Sequence, residues 1–383
     1  MKKLCIFPND PLINYYEKGE IKDGYFNPQN FFEQIDFISF VDKDIEEEKI
    51  KKIVGNAKMK IHSVGKVSIT KRHQHLEKIT SIVKEINPNI IRAYNPRLEG
   101  WFAAKCSKKL NIPFYLSLHT QFDTNRKISM KKDFRKFLKL KFNEKVLEPY
   151  VIKHANKISI AFKIIEPYVI KHGGKNPILL YNGIDYERFH NAKIMTTLPQ
   201  PLILTVGNLI PEKNHDVLIT AMKNLEAFCL IIGRGPLKEE LEKIIEKLNL
   251  KDKVMIKESI PHDEIHTYYK SATVFALPFN SELEGLPMPV MEAMAAGKPV
   301  IIPYPKEGFS ENLGDSVMYV DNNSESFQKK IFEVLNNKSL QKSLGEKASH
   351  ESKRFNKREI EKQEMEIYLS LMKRDDKNEN QNS

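Results

Sequence analysis

Pro278-Phe279-Asn280-Ser281-Glu282-Leu283-Glu284-Gly285-Leu286-Pro287-Met288-Pro289-Val290-Met291-Glu292-Ala293-Met294-Ala295-Ala296-Gly297-Lys298-Pro299-Val300 reads as a loop running into a helix. The apolar run Val274 to Leu277 enters it as a buried strand, Pro289 suits the first turn of the helix, and Val300 to Ile302 follows as the next strand. Working back, Leu202 to Val206, Phe228 to Ile232 and Val254 to Ile256 repeat the pattern, each separated from the next by a helix-length segment. Short apolar runs alternating with helices predict a parallel, doubly wound α/β sheet.

A second series precedes this one: Leu4 to Phe7, Phe37 to Val41, Ile61 to Val64, Ile90 to Tyr94, Phe114 to Leu118, Ile158 to Ile160 and Ile178 to Tyr181. Between them, His75 to Ile86 places Leu76, Ile79, Val83 and Ile86 at helical spacing, and Asn87-Pro88 stops the helix. The chain of 383 residues and 44.5 kDa exceeds one ordinary core. The expectation is therefore two lobes with a cleft between them: residues 1–190, then 191–350 after the polar stretch Asn191 to Pro201. Residues 351–373 are expected to form a helix packing back toward the first lobe, and 374–383 a disordered polar tail.

Composition excludes several classes. Hydrophobic residues at 41% and charged residues at 29% rule out collagen-like, coiled-coil and wholly disordered chains. Cys5, Cys106 and Cys229 are too few for a disulfide framework or a four-cysteine zinc site, which fits a reducing compartment. No signal peptide or membrane span is legible, so a cytoplasmic protein is expected.

In the quoted stretch, Glu284 lies in the loop and Glu292 in the early helix, bracketing a helix N-terminus. Free N–H groups and the positive end of the helix dipole suit a phosphate there. Carboxylates suit vicinal hydroxyl groups, because each oxygen accepts hydrogen bonds. A nucleotide sugar carries both features. No His/Cys cluster points to a metal site.

The Glu, seven residues, Glu spacing at 284 and 292 resembles the retaining GT4-type glycosyltransferases (glycosyl transferases group 1). Asn182-Gly183-Ile184-Asp185, Val206-Gly207-Asn208-Leu209-Ile210-Pro211-Glu212-Lys213 and Gly233-Arg234-Gly235-Pro236-Leu237 support the likeness, as does Leu116-Ser117-Leu118-His119 more faintly. The resemblance implies GT-B architecture, two Rossmann-like lobes facing across a cleft, and transfer of a hexose from a nucleotide diphosphate sugar to a glycan or lipid-linked acceptor. It implies that His119, Lys213 and Glu284 serve catalysis, with Lys213 neutralising the diphosphate and Glu284 holding the transferred sugar. Asn208, Gly285, Leu286, Met288 and Glu292 would bind substrate, Glu292 at the ribose. Neither a metal nor a resident cofactor is implied. Asn208 stands where the family commonly has Arg, and Pro287 and Pro289 remove two N–H donors, leaving Leu286 and Met288. Arg234 is a second candidate for the missing charge. A nucleotide-sugar epimerase, or a catalytically weak basic binding protein of the same fold, are the rival readings.

The net charge of +11 comes from 61 basic and 50 acidic residues, and much of it is local. Arg126 to Lys145 carries nine basic residues against Asp133 and Glu144, a net of +7. Met130, Phe134, Phe137 and Leu138 fall at helical spacing within it, which predicts an amphipathic basic helix. An anionic membrane surface or an acidic glycan would suit it. Nucleic acid is disfavoured by the Lys-rich patch, the single Trp and the lack of a recognised motif.

Overall fold

The structure, a computed structural model, describes residues 1–17, 21–120, 122–123, 126, 134–258, 260–261, 263–305 and 311–379. It divides into two units, Met1–Tyr181 with Ile360–Ser383, and Asn182–Glu359.

Among the described residues of the first unit, β1 (Lys3–Phe7), β2 (Gln34–Ser39), β3 (Lys58–Ser63), β4 (Ile90–Ala93), β5 (Phe114–Leu118), β6 (Lys157–Ile160) and β7 (Ile178–Leu179) form one sheet in the order β3-β2-β1-β4-β5-β6-β7. Every pairing is parallel. β4 and β5 are buried along their whole length, as a sheet covered on both faces requires. The helix Arg72–Ile86 buries Ile79, Thr80, Val83 and Ile86 and ends at Asn87, whose left-handed backbone returns its N–H to the Val83 carbonyl.

β2 begins three residues before the run Phe37 to Val41 that announced it. It contains buried Asp36, which is bonded to His62 Nε2 of β3 at 2.8 Å and interrupts the apolar pattern. The final helix, Lys357–Glu379, buries Tyr368 and Leu371 in this unit's core. Arg92 of β4 donates to Tyr368 Oη and to Ser117 Oγ and pairs with Glu364. The helix continues to Glu379, and of the expected tail residues 380–383 lie outside the described residues.

Much of the basic segment, residues 127–133, also lies outside the described residues. Beyond it, the helix Phe134–Phe142 passes through a π-helical stretch, Asn143–Leu147, into the helix Glu148–His154. Its packed side carries Leu140, Asn143, Leu147 and Val151, whereas Leu138, expected among the apolar anchors, is turned to solvent.

In the second unit, β8 (Leu202–Val206), β9 (Phe228–Ile232), β10 (Val254–Lys257), β11 (Val274–Ala276), β12 (Val300–Pro303) and β13 (Met318–Val320) form a parallel sheet ordered β10-β9-β8-β11-β12-β13. Strand order turns between β8 and β11, so the loops leaving their carboxyl ends open into the crevice where such sheets bind ligands. Those loops begin at Gly207 and Leu277.

Candidate active site

The loop after β8 is clasped to its neighbour by backbone. Gly207 N–H donates to Ile232 O at 3.0 Å, Leu209 N–H to Arg234 O at 2.9 Å, and Leu237 N–H to Leu209 O at 3.1 Å. A Cβ at residue 233 would overlap the Gly207 carbonyl oxygen, and one at 235 would overlap that of Leu209. Gly233-Arg234-Gly235 therefore lets two backbones touch, with no room for side chains at either glycine.

Asn208, at the tip of the loop, is exposed, and its carbonyl lies 3.3 Å from His215 Nε2. His215 is only 2% exposed. Its imidazole pKa is pushed down to about 4, mainly by burial, with the charge of Lys213 adding to the effect. A neutral ring thus holds the loop. Sequence reasoning passed over His215, since one histidine after Lys213-Asn214 carries no pattern.

The loop continues into the turn Pro211–Lys213, which buries Lys213. Lys213 Nζ lies 2.5 Å from Glu284 Oε2. What brings two side chains so distant in sequence together is a backbone tie: Asn280 N–H, on the loop after β11, donates to the Glu212 carbonyl at 2.8 Å. Asn280 O then accepts from Leu283 and Glu284 N–H, each at 3.1 Å, and Asn280 Oδ1 from Glu282 N–H at 3.0 Å, so the loop bearing Glu284 is folded about Asn280. Glu284, Gly285 and buried Leu286 line a small cavity with Ile302, Pro303 and Tyr319.

The loop ends in the helix Met288–Ala295, with extended Pro287 as its N-cap. Pro289 has no N–H and Val290 N–H is donated to Pro287 O at 3.0 Å, which leaves Met288 N–H as the first-turn donor. Glu292 is half-buried, and its Oε2 accepts from Tyr269 Oη at 2.7 Å. Tyr269 comes from the helix Ile265–Ser271 and is fully buried against Phe189 and Phe275. Burial first, then the Glu292 charge, holds its phenol well above its ordinary pKa, so it remains a donor. Tyr269 was likewise invisible in the sequence, where it reads as one more apolar position of a helix.

In the second unit the structure thus gathers Asn208, Lys213, Glu284, Gly285, Leu286, Met288 and Glu292 on the loops and helix leaving β8 and β11. His119 belongs to the first unit, directly after β5, with its ring 5.7 Å from that of Tyr94. Among the described residues, no group of three or more His, Cys, Asp or Glu side chains could hold a metal ion, and no helix is long and apolar enough to cross a membrane.

Residues 188–351 match the family model for glycosyl transferases group 1. An uncharacterized glycosyltransferase of Methanocaldococcus jannaschii is 26% identical over 352 residues, 90% of this chain and 93% of its own. A Campylobacter jejuni enzyme, N-acetylgalactosamine-N,N'-diacetylbacillosaminyl-diphospho-undecaprenol 4-alpha-N-acetylgalactosaminyltransferase, is 31% identical over 198 residues, 50% of this chain and 53% of that one. Among solved structures, Anabaena HepE in complex with UDP superposes with a TM-score of 0.74 at 16% identity, covering 97% of this chain and 100% of that one. Sucrose-phosphate synthase of Thermosynechococcus elongatus gives 0.72 at 17%, covering 97% and 99%. These likenesses establish the two-lobe GT-B fold.

Proposed function

We propose, from the premise that this chain is a glycosyltransferase of group 1, that it moves a hexose with retention and without a metal from a nucleotide diphosphate sugar to a lipid-linked or other glycan acceptor. The observation that carries the reading is the Lys213–Glu284 pair, held at 2.5 Å at the point where the second sheet's strand order turns. Lys213 has three N–H donors. One serves Glu284, and the others are free in valence to take diphosphate oxygens as negative charge develops on the leaving group. Glu284 keeps lone pairs for hydroxyls of the transferred sugar, Met288 and Leu286 supply N–H groups to phosphate, and Gly285 admits the ligand close to backbone. Glu292, oriented by Tyr269, takes the ribose hydroxyls, and Asn208 lines the phosphate side. His119 is assigned to the donor sugar.

Retention follows if the acceptor hydroxyl attacks from the face the diphosphate leaves, a phosphate oxygen accepting its proton. No protein nucleophile is then required. Metal independence draws support from a lysine placed to supply the cationic charge. The free, buried cysteines fit a cytoplasmic site of action. The strongly basic helix of the first unit suits an anionic membrane face or an acidic glycan.

A thermal-shift screen with UDP-, GDP- and ADP-sugars identifies the donor, and product NMR reads the anomeric configuration. Activity lost to EDTA and restored by manganese or magnesium would overturn metal independence. An inverted product would overturn the front-face route.

A further inference from the structure

The helical rod from Phe134 to His154 has a solvent side that breaks the usual rule for a helix lying on a soluble core. Opposite the packed Leu140, Asn143 and Leu147, the side chains of Leu138, Phe142 and Val146 are 53%, 39% and 42% exposed. They fall at successive steps of four residues. In an α-helix such a step overshoots one turn by about 40°, whereas in the wider π turn between Asn143 and Leu147 it falls short. The two deviations oppose, so the three apolar side chains stay in one row.

Cations flank the row. The Arg72 guanidinium lies 5.7 Å from the centre of the Phe142 ring, Lys141 lies 5.8 Å from that of Phe137, and Lys145 is exposed. The acid among them, Glu144, is engaged by Lys141 at 2.9 Å, Lys171 at 3.0 Å and Arg126 at 3.5 Å.

We propose that Leu138, Phe142 and Val146 form a ridge that inserts into an anionic bilayer while the neighbouring lysines and Arg72 meet its headgroups, a reading that rests on a lipid-borne acceptor. A soluble acidic glycan matches the charge and has nothing to cover three exposed apolar side chains. An anionic bilayer presents both, negative headgroups over an apolar interior. The ridge replaces Phe134 and Phe137 as the apolar contact, because Phe137 is half-buried in the protein and the Phe134 side chain lies outside the described positions.

The test is flotation of the full chain with phosphatidylcholine vesicles, with and without phosphatidylglycerol, beside the variant Leu138→Ser/Phe142→Ser/Val146→Ser. Wild type should partition onto the anionic vesicles and keep part of that binding at high salt. The variant should lose at least about 100-fold in partitioning, about 2.8 kcal/mol at 1.4 kcal/mol per tenfold, with its melting temperature and nucleotide-induced thermal shift intact. Independently, Phe142→Trp should show an emission blue shift on anionic vesicles and quenching by brominated lipid. Equal partitioning of variant and wild type would overturn the proposal, as would no binding of wild type to anionic vesicles, or self-association abolished by the variant in place of vesicle binding. If nucleotide stabilises neither protein, the transferase reading fails separately, and the vesicle result still judges the ridge.

Discussion

His215 gives the site an acid limit that can be worked out from its surroundings. The folded ring is neutral, with Nε2–H pointing at the Asn208 carbonyl and a pKa of about 4, against an ordinary value of 6.5. Above about pH 6.5 neither folded nor unfolded chain protonates it, so its contribution is fully present. Below that, the unfolded chain takes up a proton that the folded chain refuses until about pH 4, and stability falls with pH. The window spans about 2.5 units at about 1.36 kcal/mol each, so about 3 kcal/mol is lost by pH 4. His215→Gln retains an N–H donor and removes the titration. Urea unfolding at pH 7 and pH 4 should show wild type losing about 3 kcal/mol more than the variant. Backbone circular dichroism is the readout, because the single Trp, Trp101, sits in the first unit and does not report the second. Added nucleoside diphosphate marks the second unit's transition by shifting it. Identical pH dependence in the two proteins, within about 0.5 kcal/mol, would refute the account of a buried neutral imidazole.

Lys213→Ala should weaken nucleoside diphosphate binding or turnover about 10- to 100-fold, the worth of one charge-assisted hydrogen bond of roughly 1.5–3 kcal/mol, measured by calorimetry and initial rates. Glu292→Ala should weaken free nucleotide and nucleotide sugar alike and Glu284→Ala only the sugar form; equal loss of free nucleotide in both sinks this division of roles. Tyr269→Phe removes the hydroxyl that orients Glu292 and should cost about 5- to 30-fold in nucleotide affinity, with the melting temperature of the second unit reporting any packing loss separately. An unchanged affinity would show that Glu292 needs no such support.

The parallel strands were legible because strands buried on both faces are written as short apolar runs, and β5, β8 and β9 match the runs Phe114 to Leu118, Leu202 to Val206 and Phe228 to Ile232 residue for residue. The reading faltered where a polar residue is buried with a partner. Asp36 belongs inside β2 because His62 satisfies it, and no single-strand pattern records a bond to the next strand. β13, only Met318–Val320 and half exposed at the sheet edge, gave too short a run to notice. The ridge at Leu138, Phe142 and Val146 eluded a 3.6-residue reading for a different reason: the π turn resets the helical phase, and periodicity cannot announce that reset.

The candidate site divides along the same line. Lys213, Glu284 and Glu292 stand in spacings that the sequence displays, yet their geometry depends on bonds that it does not. The Asn280 to Glu212 backbone bond decides that Lys213 meets Glu284, and the Tyr269 hydroxyl decides where one Glu292 oxygen sits. Both connections are made by parts of the chain outside the motif they serve. Neither Lys213 nor Glu284 is fully shielded from water, so the pair itself adds little to stability. What it supplies is position. A lysine of four rotatable methylenes, held by a carboxylate before any ligand arrives, has its ordering entropy already spent, and a diphosphate then meets N–H donors in place. In the roles proposed for them, the same carboxylate is left to face the sugar. One ion pair would then link the charge on the leaving group to the hydroxyls of the group transferred, which is where discrimination among donors has to be exercised.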